Sequence, residues 1–271
     1  MINVVSEKNI INGRLISKQS LYELLEQDTA KIYEVIRVID KKPIFLKEHL
    51  ERLNNSLNLS GYNETLEFNR FKASVELLIA ENEFTNCNIR VSFFIKDDEP
   101  VVLMYYVKSS YPTAEMFKNG IYVITLKKHR KNPNVKFFET ELRDSIDKSL
   151  SENGAFEAIL VNNDDTISEG SKSNVFFVCD DKLVTSMDSE VLLGVTRGKV
   201  VEVCERNGII VEKRRINISE LKKFDGAFIT GTSNNVLPIR AIDDIVYDSV
   251  NNKTVNKASE LYLAEMAKEY K

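Results

Sequence analysis

The stretch "TISEGSKSNVFFV", residues 166–178, decides how the second half of the chain is interpreted. Its two ends predict β-strands, and between them stand Glu169 and the small polar run "GSKS", residues 170–173. A carboxylate within a sheet needs a partner, because an isolated charge is costly to bury. The partner of Glu169 is therefore expected to be either a neighbouring Lys or Arg, or a protonated ring nitrogen of a ligand.

Outward from this stretch, the second half alternates hairpins with helices. Two hairpins are predicted over residues 156–170 and 174–186, the second turning at two aspartates. "FFETELRDSIDKSLSENG", residues 137–154, predicts a helix that ends on a glycine, and "GVTRGKVVEVCERNG", residues 194–208, predicts another. This pattern is not the regular alternation of a doubly wound sheet.

The first half has its own set of strands and helices. Leucines at 46, 50, 53 and 57 have helical spacing, and a second amphipathic helix is predicted over residues 68–83. Residues 88–96 and 101–108 predict a hairpin. After this hairpin the sequence shows neither helical nor strand periodicity for a short segment. We therefore predict an α+β protein with a small domain over 1–112, a linker at 107–117 and a larger domain over 118–271.

Composition excludes several classes of protein. The net charge is −4, from 37 Lys and Arg against 41 Asp and Glu, so neither nucleic acid nor an anionic membrane is expected as a partner. The apolar runs are too short to span a membrane, and the N-terminus does not resemble a secretion signal. The three cysteines predict free thiols in the cytoplasm, and the two histidines lie too far apart to predict a structural metal site.

Lys136 is the first candidate for chemistry. It follows a predicted strand, precedes a predicted helix and has the apolar neighbours Val135, Phe137 and Phe138. An amine that is partly desolvated has a lowered pKa and becomes nucleophilic. The competing interpretation is a solvated lysine at a helix start, which is the commoner fate of lysine.

Two further segments predict anion binding. A helix that begins near Val195 and Thr196 would offer free backbone N–H groups and a hydroxyl to a phosphate. Alternatively, Thr196 only caps that helix. "TGTSNN", residues 230–235, follows a buried strand, and small hydroxyl residues at such a corner form either an anion nest or a plain turn.

Two arginines in the first half are also candidates. Arg52 lies beside the leucine face of its helix, where it is either a surface residue or a phosphate ligand. Arg90 interrupts an apolar strand, where it either lines a cleft and meets a carboxylate or faces water on an edge strand.

The order of these segments resembles that of class IV, fold-type IV pyridoxal-phosphate enzymes, which include branched-chain and D-amino acid aminotransferases and aminodeoxychorismate lyases. The resemblance extends from Tyr33 to Asp243, and its most specific part is "EGSKSNVF" followed by "GVTR". The segments that carry it are "YEVIRV" (33–38), "PIFLKEHLERLNNS" (43–56), "NVK" (134–136), "EAILVNNDDTISEGSKSNVFFV" (157–178), "LLGVTRGKVVEV" (192–203) and "FITGTSNNVLPI" (228–239). It implies a small α/β sandwich domain and a larger pseudo-barrel domain with antiparallel hairpins.

The resemblance also implies roles for individual residues. Lys136 would hold pyridoxal 5'-phosphate as a Schiff base and move the proton, and Glu169 would pair with the pyridinium nitrogen, which keeps the ring an electron acceptor. Tyr33 would line the substrate pocket, and Arg90 would bind a substrate carboxylate.

The phosphate of the cofactor would be bound by a separate set of residues. Arg52 resembles the phosphate-binding arginine of the family. Val195 and Thr196, together with Thr232 and Ser233, resemble its other phosphate ligands.

The chain also departs from the family pattern. A glycine-rich run is replaced by "DTAKIYE", residues 28–34, Glu141 stands five residues after the lysine where branched-chain enzymes have tyrosine, and Asn234 and Asn235 replace small residues. The cofactor-binding residues are kept while the substrate contacts differ. We therefore expect an active enzyme whose substrate the sequence leaves open.

Three functions remain open on the sequence. The first is an aminotransferase between an amino acid and a 2-oxo acid, and the second is a lyase of the aminodeoxychorismate type that releases pyruvate. The third is a non-catalytic protein that binds phosphate or the cofactor. The presence of both Lys136 and Glu169 argues against the third. The resemblance further implies a homodimer.

Overall fold

The structure, a computed structural model, describes residues 3–26, 32–130, 132–137 and 139–271. These residues group into two compact units. Unit 1 comprises Met1–Ser110, Val135–Phe138 and Met266–Lys271, and unit 2 comprises Tyr111–Asn134 and Glu139–Glu265. The short segment that carries Lys136 thus belongs to unit 1, although the chain around it belongs to unit 2.

Unit 1 is built on an antiparallel sheet of six strands with three helices. Its strands are β1 (Lys8–Ile11), β2 (Arg14–Ser17), β3 (Ile32–Ile39), β4 (Lys42–Pro43), β5 (Cys87–Lys96) and β6 (Glu99–Val107). They lie in the order β2-β1-β6-β5-β3-β4. Its helices are α1 (Lys18–Glu26), α2 (Leu46–Leu59) and α3 (Phe68–Ala80).

Helix α2 forms where the leucine spacing predicts it. Leu50, Leu53 and Leu57 are buried with Ile36 and Val38 of β3. Each such side chain contributes about 1.5–3 kcal/mol by leaving water. Because the apolar stripe faces β3, polar residues one position away from it along the helix are also brought against this strand.

Unit 2 contains a mixed sheet of ten strands. They are β7 (Ile121–Lys127), β8 (Glu157–Val161), β9 (Thr166–Gly170), β10 (Asn174–Cys179), β11 (Lys182–Thr185), β12 (Val211–Lys213), β13 (Ile216–Asn217), β14 (Gly226–Gly231), β15 (Asn235–Ile242) and β16 (Ile245–Val246). The order is β12-β11-β10-β14-β15-β7-β8-β9-β13, with β16 beside β15. Strand β7 is parallel to both β8 and β15, and β11 is parallel to β12.

The described residues of unit 2 form the helices α4 (Ala114–Asn119), α5 (Thr140–Asn153), α6 (Val195–Arg206) and α7 (Lys253–Ala267), the last two residues of which are grouped with unit 1, and 3-10 helices at Asp188–Glu190 and Ile218–Lys223. Of these, α5 and α6 lie close to their predicted positions. Gly154 ends α5 in the left-handed conformation, as predicted. Helix α6 lies against β14. In the described part of the chain, no helix has the length and apolar character needed to cross a bilayer.

The structure differs from the sequence predictions in several places. The expected linker contains helix α4, whose start is capped by Thr113. Helix α5 begins at Thr140, three residues later than predicted. The β1–β2 hairpin was not predicted, although Asn12 and Gly13, both with positive φ, form the Asn-Gly turn that favours hairpins. The proposed domains were continuous, whereas units 1 and 2 are each assembled from segments that are separated in sequence.

Candidate active site

Glu169 has an arginine beside it. Its side chain is 3% exposed, and Arg130 Nε lies 3.3 Å from its Oε1 atom. Arg130 also donates to the carbonyl of Ser171, at 2.7 Å. The second oxygen, Oε2, accepts hydrogen bonds from Leu192 N at 3.0 Å and from Asn174 Nδ2 at 3.3 Å. Of the partners that the sequence left open, a neighbouring arginine is therefore present.

The polar corner after Glu169 is held by a second buried carboxylate. Glu157 accepts hydrogen bonds from the hydroxyls of Ser171, at 2.6 Å, and Ser173, at 2.9 Å, and from Lys172 N at 3.2 Å. A side chain on Gly170 would overlap the Ser173 hydroxyl. The run "GSKS" is thus small and polar because it folds tightly over Glu157, and this fixes the ends of β9 and β10 around Glu169.

The start of α6 has the properties of an anion site. Its N-cap residue is Gly194, which provides no side-chain cap, and its first turn contains no acidic residue. The first intrahelical bond runs from Gly198 N to Gly194 O, at 2.8 Å. Thr196 is buried in the first turn and is not the cap, so the capping alternative was wrong. Backbone N–H groups and the positive end of the helix dipole at such a start favour an anion.

A second group of hydroxyls lies near this helix start. Thr230, whose Cα pairs with that of Asn174, has a buried Oγ1 atom without a hydrogen-bond partner among the described residues. Thr232 and Ser233 are half-buried in the turn between β14 and β15. Asn174 in turn lies against Gly194. Unit 2 therefore places these hydroxyl residues on the side of the sheet end where α6 begins.

In unit 1, Arg52 is not a surface residue. It is buried, and it donates from Nε to Glu34 Oε1 and from Nη2 to Glu34 Oε2, each at 2.7 Å. His49 Nδ1 lies 2.9 Å from Glu34 Oε2. This bidentate pair holds the guanidinium in a fixed orientation through Nε and Nη2 and does not engage Nη1.

Burial and charge act in opposite directions on this cluster. Burial raises the pKa of Glu34, but the Arg52 charge and the hydrogen bonds from His49 and Arg52 outweigh it and hold the pKa well below its usual range. Burial lowers the pKa of His49, and the charges of Arg52 and Lys136 add to this, against the hydrogen bond with Glu34. The imidazole is therefore neutral at pH 7, with its proton on Nδ1 facing the carboxylate.

Lys136 is held by its backbone on both sides. Its N–H donates to Ser56 Oγ at 3.3 Å, and its carbonyl accepts from Tyr33 N at 3.1 Å. The side chain is half-buried, and Nζ lies 4.9 Å from the centre of the Tyr33 ring. Val135 is buried as expected, but Phe137 is 39% exposed, so the apolar surroundings were only partly predicted. Phe138 lies outside the described residues.

Arg90 also lies against the Tyr33 ring. Its Cζ atom is 4.0 Å from the centre of that ring, and Nε donates to Ser92 Oγ at 3.4 Å. The edge-strand interpretation was wrong, because β5 pairs with β3 on one side and with β6 on the other, and Arg90 is 7% exposed. Unit 1 thus brings Tyr33, Arg90 and Lys136 together.

Each unit offers groups that suit part of pyridoxal 5'-phosphate. In unit 2, the buried carboxylate of Glu169 suits a ring nitrogen, and an uncapped helix start with a Thr230 hydroxyl that has no partner among the described residues suits a phosphate. In unit 1, a positioned lysine amine suits an aldehyde. Within each unit, the residues present therefore fit the part of the cofactor that the resemblance assigns to them.

Five residues near these groups were not identified from the sequence: Glu34, Arg130, His49, Asn174 and Glu157. Glu34 carried a usable signal, since "YEVIRV" has a carboxylate within an apolar strand, as Glu169 does. Residues 28–31, which depart from the family's glycine-rich run, lie outside the described residues. Glu141 is exposed at the start of α5.

Comparison with known proteins agrees with this geometry. A family model described as "Amino-transferase class IV" matches residues 31–242. A D-alanine aminotransferase of Bacillus licheniformis is 28% identical over 252 residues, which cover 87% of this chain and 88% of that protein. Branched-chain-amino-acid aminotransferase-like protein 2 of Arabidopsis thaliana is 27% identical over 246 residues, which cover 85% of this chain but 44% of that longer protein.

A solved structure shows that the fold is shared. The branched-chain aminotransferase of the thermophilic archaeon Thermoproteus uzoniensis, solved with norvaline, superposes with a TM-score of 0.83 and 22% identity, covering 98% of this chain and 97% of that one. The fold is the two-domain α+β fold of type IV. The chain belongs to the amino-transferase class IV family.

Proposed function

We propose that this chain is a pyridoxal-phosphate-dependent aminotransferase that moves an amino group between an amino acid and a 2-oxo acid. The observation that best supports this is Lys136, whose backbone is bonded on both sides while its amine lies beside the Tyr33 ring, which Arg90 also contacts. A positioned lysine near an aromatic ring that also carries a guanidinium is suited to receive an amino acid.

The proposal assigns one task to each group of the chain. The bound cofactor supplies an electron acceptor for the charge that develops at the substrate α-carbon. Lys136 Nζ carries the cofactor and then removes and returns the α-proton. Glu169 would accept a hydrogen bond from the ring nitrogen, with the Arg130 guanidinium as its neighbouring cation.

The remaining groups bind and orient. Val195, Thr196, Thr232 and Ser233 are proposed to hold the phosphate from unit 2, and Arg52 to hold it through Nη1. The Glu34 carboxylate orients Arg52 and does not itself meet the anion.

Arg90 and Tyr33 are proposed to hold the substrate. Arg90 is buried in an apolar strand and would pair with a substrate carboxylate. The Tyr33 ring, which lies against Arg90, would form the adjacent wall of the pocket.

Borohydride reduction of the protein with pyridoxal phosphate tests the assignment. Reduction should fix the cofactor to Lys136, as located by peptide mass mapping, and Lys136→Ala should lose the label while keeping its fold by circular dichroism. A label on Lys127, Lys128 or Lys148 would contradict the assignment. A wild-type protein that binds the cofactor but never turns over would instead be the non-catalytic binding protein.

A half-reaction distinguishes transaminase from lyase. Amino acids of both configurations are added to the loaded protein, and a 2-oxo acid is measured as the absorbance of the cofactor changes. Release of pyruvate from aminodeoxychorismate, without amino transfer, would replace the aminotransferase by the lyase.

We extend the proposal to location and assembly. The three cysteines form no disulfide within the described residues, which favours a reducing compartment such as the cytoplasm. A homodimer rests on the family resemblance, and light scattering after gel filtration tests it.

A further inference from the structure

Asn174 occupies the point where three segments of unit 2 meet. It begins β10 and is 4% exposed. Its Nδ2 atom donates to Glu169 Oε2 at 3.3 Å and to the Leu192 carbonyl at 2.9 Å. Leu192 N in turn donates to the same Glu169 oxygen at 3.0 Å. One amide side chain thus closes a ring of hydrogen bonds between the carboxylate and the segment that precedes α6.

The other end of the same side chain faces Gly194. A side chain at position 194 would overlap Asn174 Oδ1. Asn174 cannot turn away, because it is buried and Nδ2 is bonded on two sides. Gly194 itself has φ −61° and ψ 135°, a conformation that other residues adopt without strain. Glycine at this position therefore serves to make room for Asn174.

A second glycine in the same helix provides the contrast. Gly198, in the first turns of α6, would place a side chain where no atom lies within 4 Å. An alanine there should be accepted, since alanine has the higher helix propensity.

We propose that Asn174 is a positioning residue that links the Glu169 carboxylate to the segment leading into α6, and that Gly194 is glycine to admit it. This proposal rests on the proposed function, in which Glu169 meets the ring nitrogen and α6 the phosphate. Asn174 would then set the separation of two binding groups that act on opposite ends of one cofactor. Both groups lie in unit 2.

The physical link is tested first without cofactor. Melting temperatures of apo wild type, Gly194→Ala, Asn174→Ala and the double variant form a mutant cycle, with Gly198→Ala as the matched control. Gly194→Ala should lower the melting temperature by at least about 4 °C, while Gly198→Ala should not. The double variant should lose less than the sum of the singles, because removal of the amide relieves the overlap. Additive losses, or equal effects of the two glycine variants, would overturn the proposal.

The positioning role is tested by cofactor binding. Asn174→Asp keeps the size of the side chain but loses both Nδ2 hydrogen bonds and brings a second charge to Glu169. The dissociation constant of pyridoxal phosphate, titrated into apo protein by fluorescence, should rise about tenfold or more. The pH dependence of the bound cofactor's absorbance should also shift, whereas Gly198→Ala leaves both unchanged.

The outcomes separate the two proposals. An unchanged dissociation constant and absorbance profile in Asn174→Asp would mean that Asn174 only fills space. If the aspartate variant does not fold, the same two measurements are made on Asn174→Ala. If wild type binds no pyridoxal phosphate, the proposed function fails, while the apo mutant cycle still decides whether Asn174 and Gly194 are coupled.

Discussion

Two buried glutamates, Glu34 and Glu169, each have an arginine beside them, and the two carboxylates are bound by different sets of donors. Glu34 takes both donors of a bidentate pair with Arg52, so its charge is used to orient that guanidinium. Arg130 Nε lies 3.3 Å from Oε1 of Glu169, and Oε2 accepts hydrogen bonds from Leu192 N and Asn174 Nδ2. These groups hold Glu169 in the position from which it is proposed to meet the ring nitrogen.

Replacement of Glu169 by glutamine tests its proposed role at the ring nitrogen. A neutral amide no longer favours a protonated ring nitrogen, so the proton-transfer step should slow by about ten- to a hundredfold. Cofactor affinity should change less, since the proposed phosphate ligands are untouched. Stopped-flow absorbance measures the step, with Glu152→Gln on the surface of α5 as control. A variant that reacts at the wild-type rate would make Glu169 a structural residue.

His49 should make the stability of the protein depend on pH. Its folded pKa is lowered, so the unfolded chain binds a proton more readily than the folded chain. Stability is therefore unaffected above the unfolded pKa of about 6.5 and falls as the pH drops below it. Glu34, whose folded pKa is also lowered, adds a second loss only below about pH 4.3.

Melting temperatures between pH 8 and pH 5 measure this dependence. His49→Gln, which keeps a donor for Glu34, should show a shallower fall over that range than wild type. His129→Gln removes the exposed histidine and should follow the wild-type curve. Parallel curves for wild type and His49→Gln would show that the imidazole does not resist protonation.

At the scale of elements, glycines end helices for two different reasons. Gly154 closes α5 at φ 59° and ψ 27°, and a side chain there would meet no atom within 4 Å. Gly120 closes α4 at φ 71° and ψ 160°, and a side chain there would come within 2.9 Å of the Arg240 backbone nitrogen. At position 154 the backbone conformation is strained for residues other than glycine. At position 120 the conformation is strained and the space for a side chain is also occupied by Arg240.

Alanine at each position should separate the two effects. Gly154→Ala should cost about 1 kcal/mol of unfolding free energy, because only the backbone conformation is disfavoured. Gly120→Ala should cost about 3 kcal/mol, since the chain must also move away from β15. Urea unfolding measures both, and equal losses would mean that the approach to Arg240 relaxes without cost.

At the scale of the molecule, each unit has its own sheet with central and edge strands. In unit 1, β5 is paired on both sides over most of its length, while β2 has one neighbour. In unit 2, β14 lies between β10 and β15, while β12 is at an edge. The backbone hydrogen bonds of central strands break only when a large part of the unit unfolds.

Hydrogen exchange should follow this order. Amides of β5 should exchange several orders of magnitude more slowly than those of β2, and amides of β14 more slowly than those of β12. Each comparison is made within one unit, so a difference in stability between the units does not affect it. Comparable protection in β2 and β5 would contradict the order of strands in the sheet of unit 1.

The sequence alone was enough for several of the local elements, because helix and strand periodicity and turn residues act between near neighbours. The leucines of α2, the hairpin of β5 and β6, the end of α5 at Gly154 and the start of α6 at Val195 all follow from such patterns. The order of the motifs along the chain likewise indicates the family.

The partners of the functional groups depended on contacts between residues distant in sequence. Arg130 meets Glu169 across 39 positions, and Arg52 meets Glu34 because α2 turns its polar edge onto β3. The parallel pairing of β7 with β15, and the place of the Lys136 segment in unit 1, also have no local signal. Burial and hydrogen bonding between distant segments select these contacts, and only the folded chain brings those segments together.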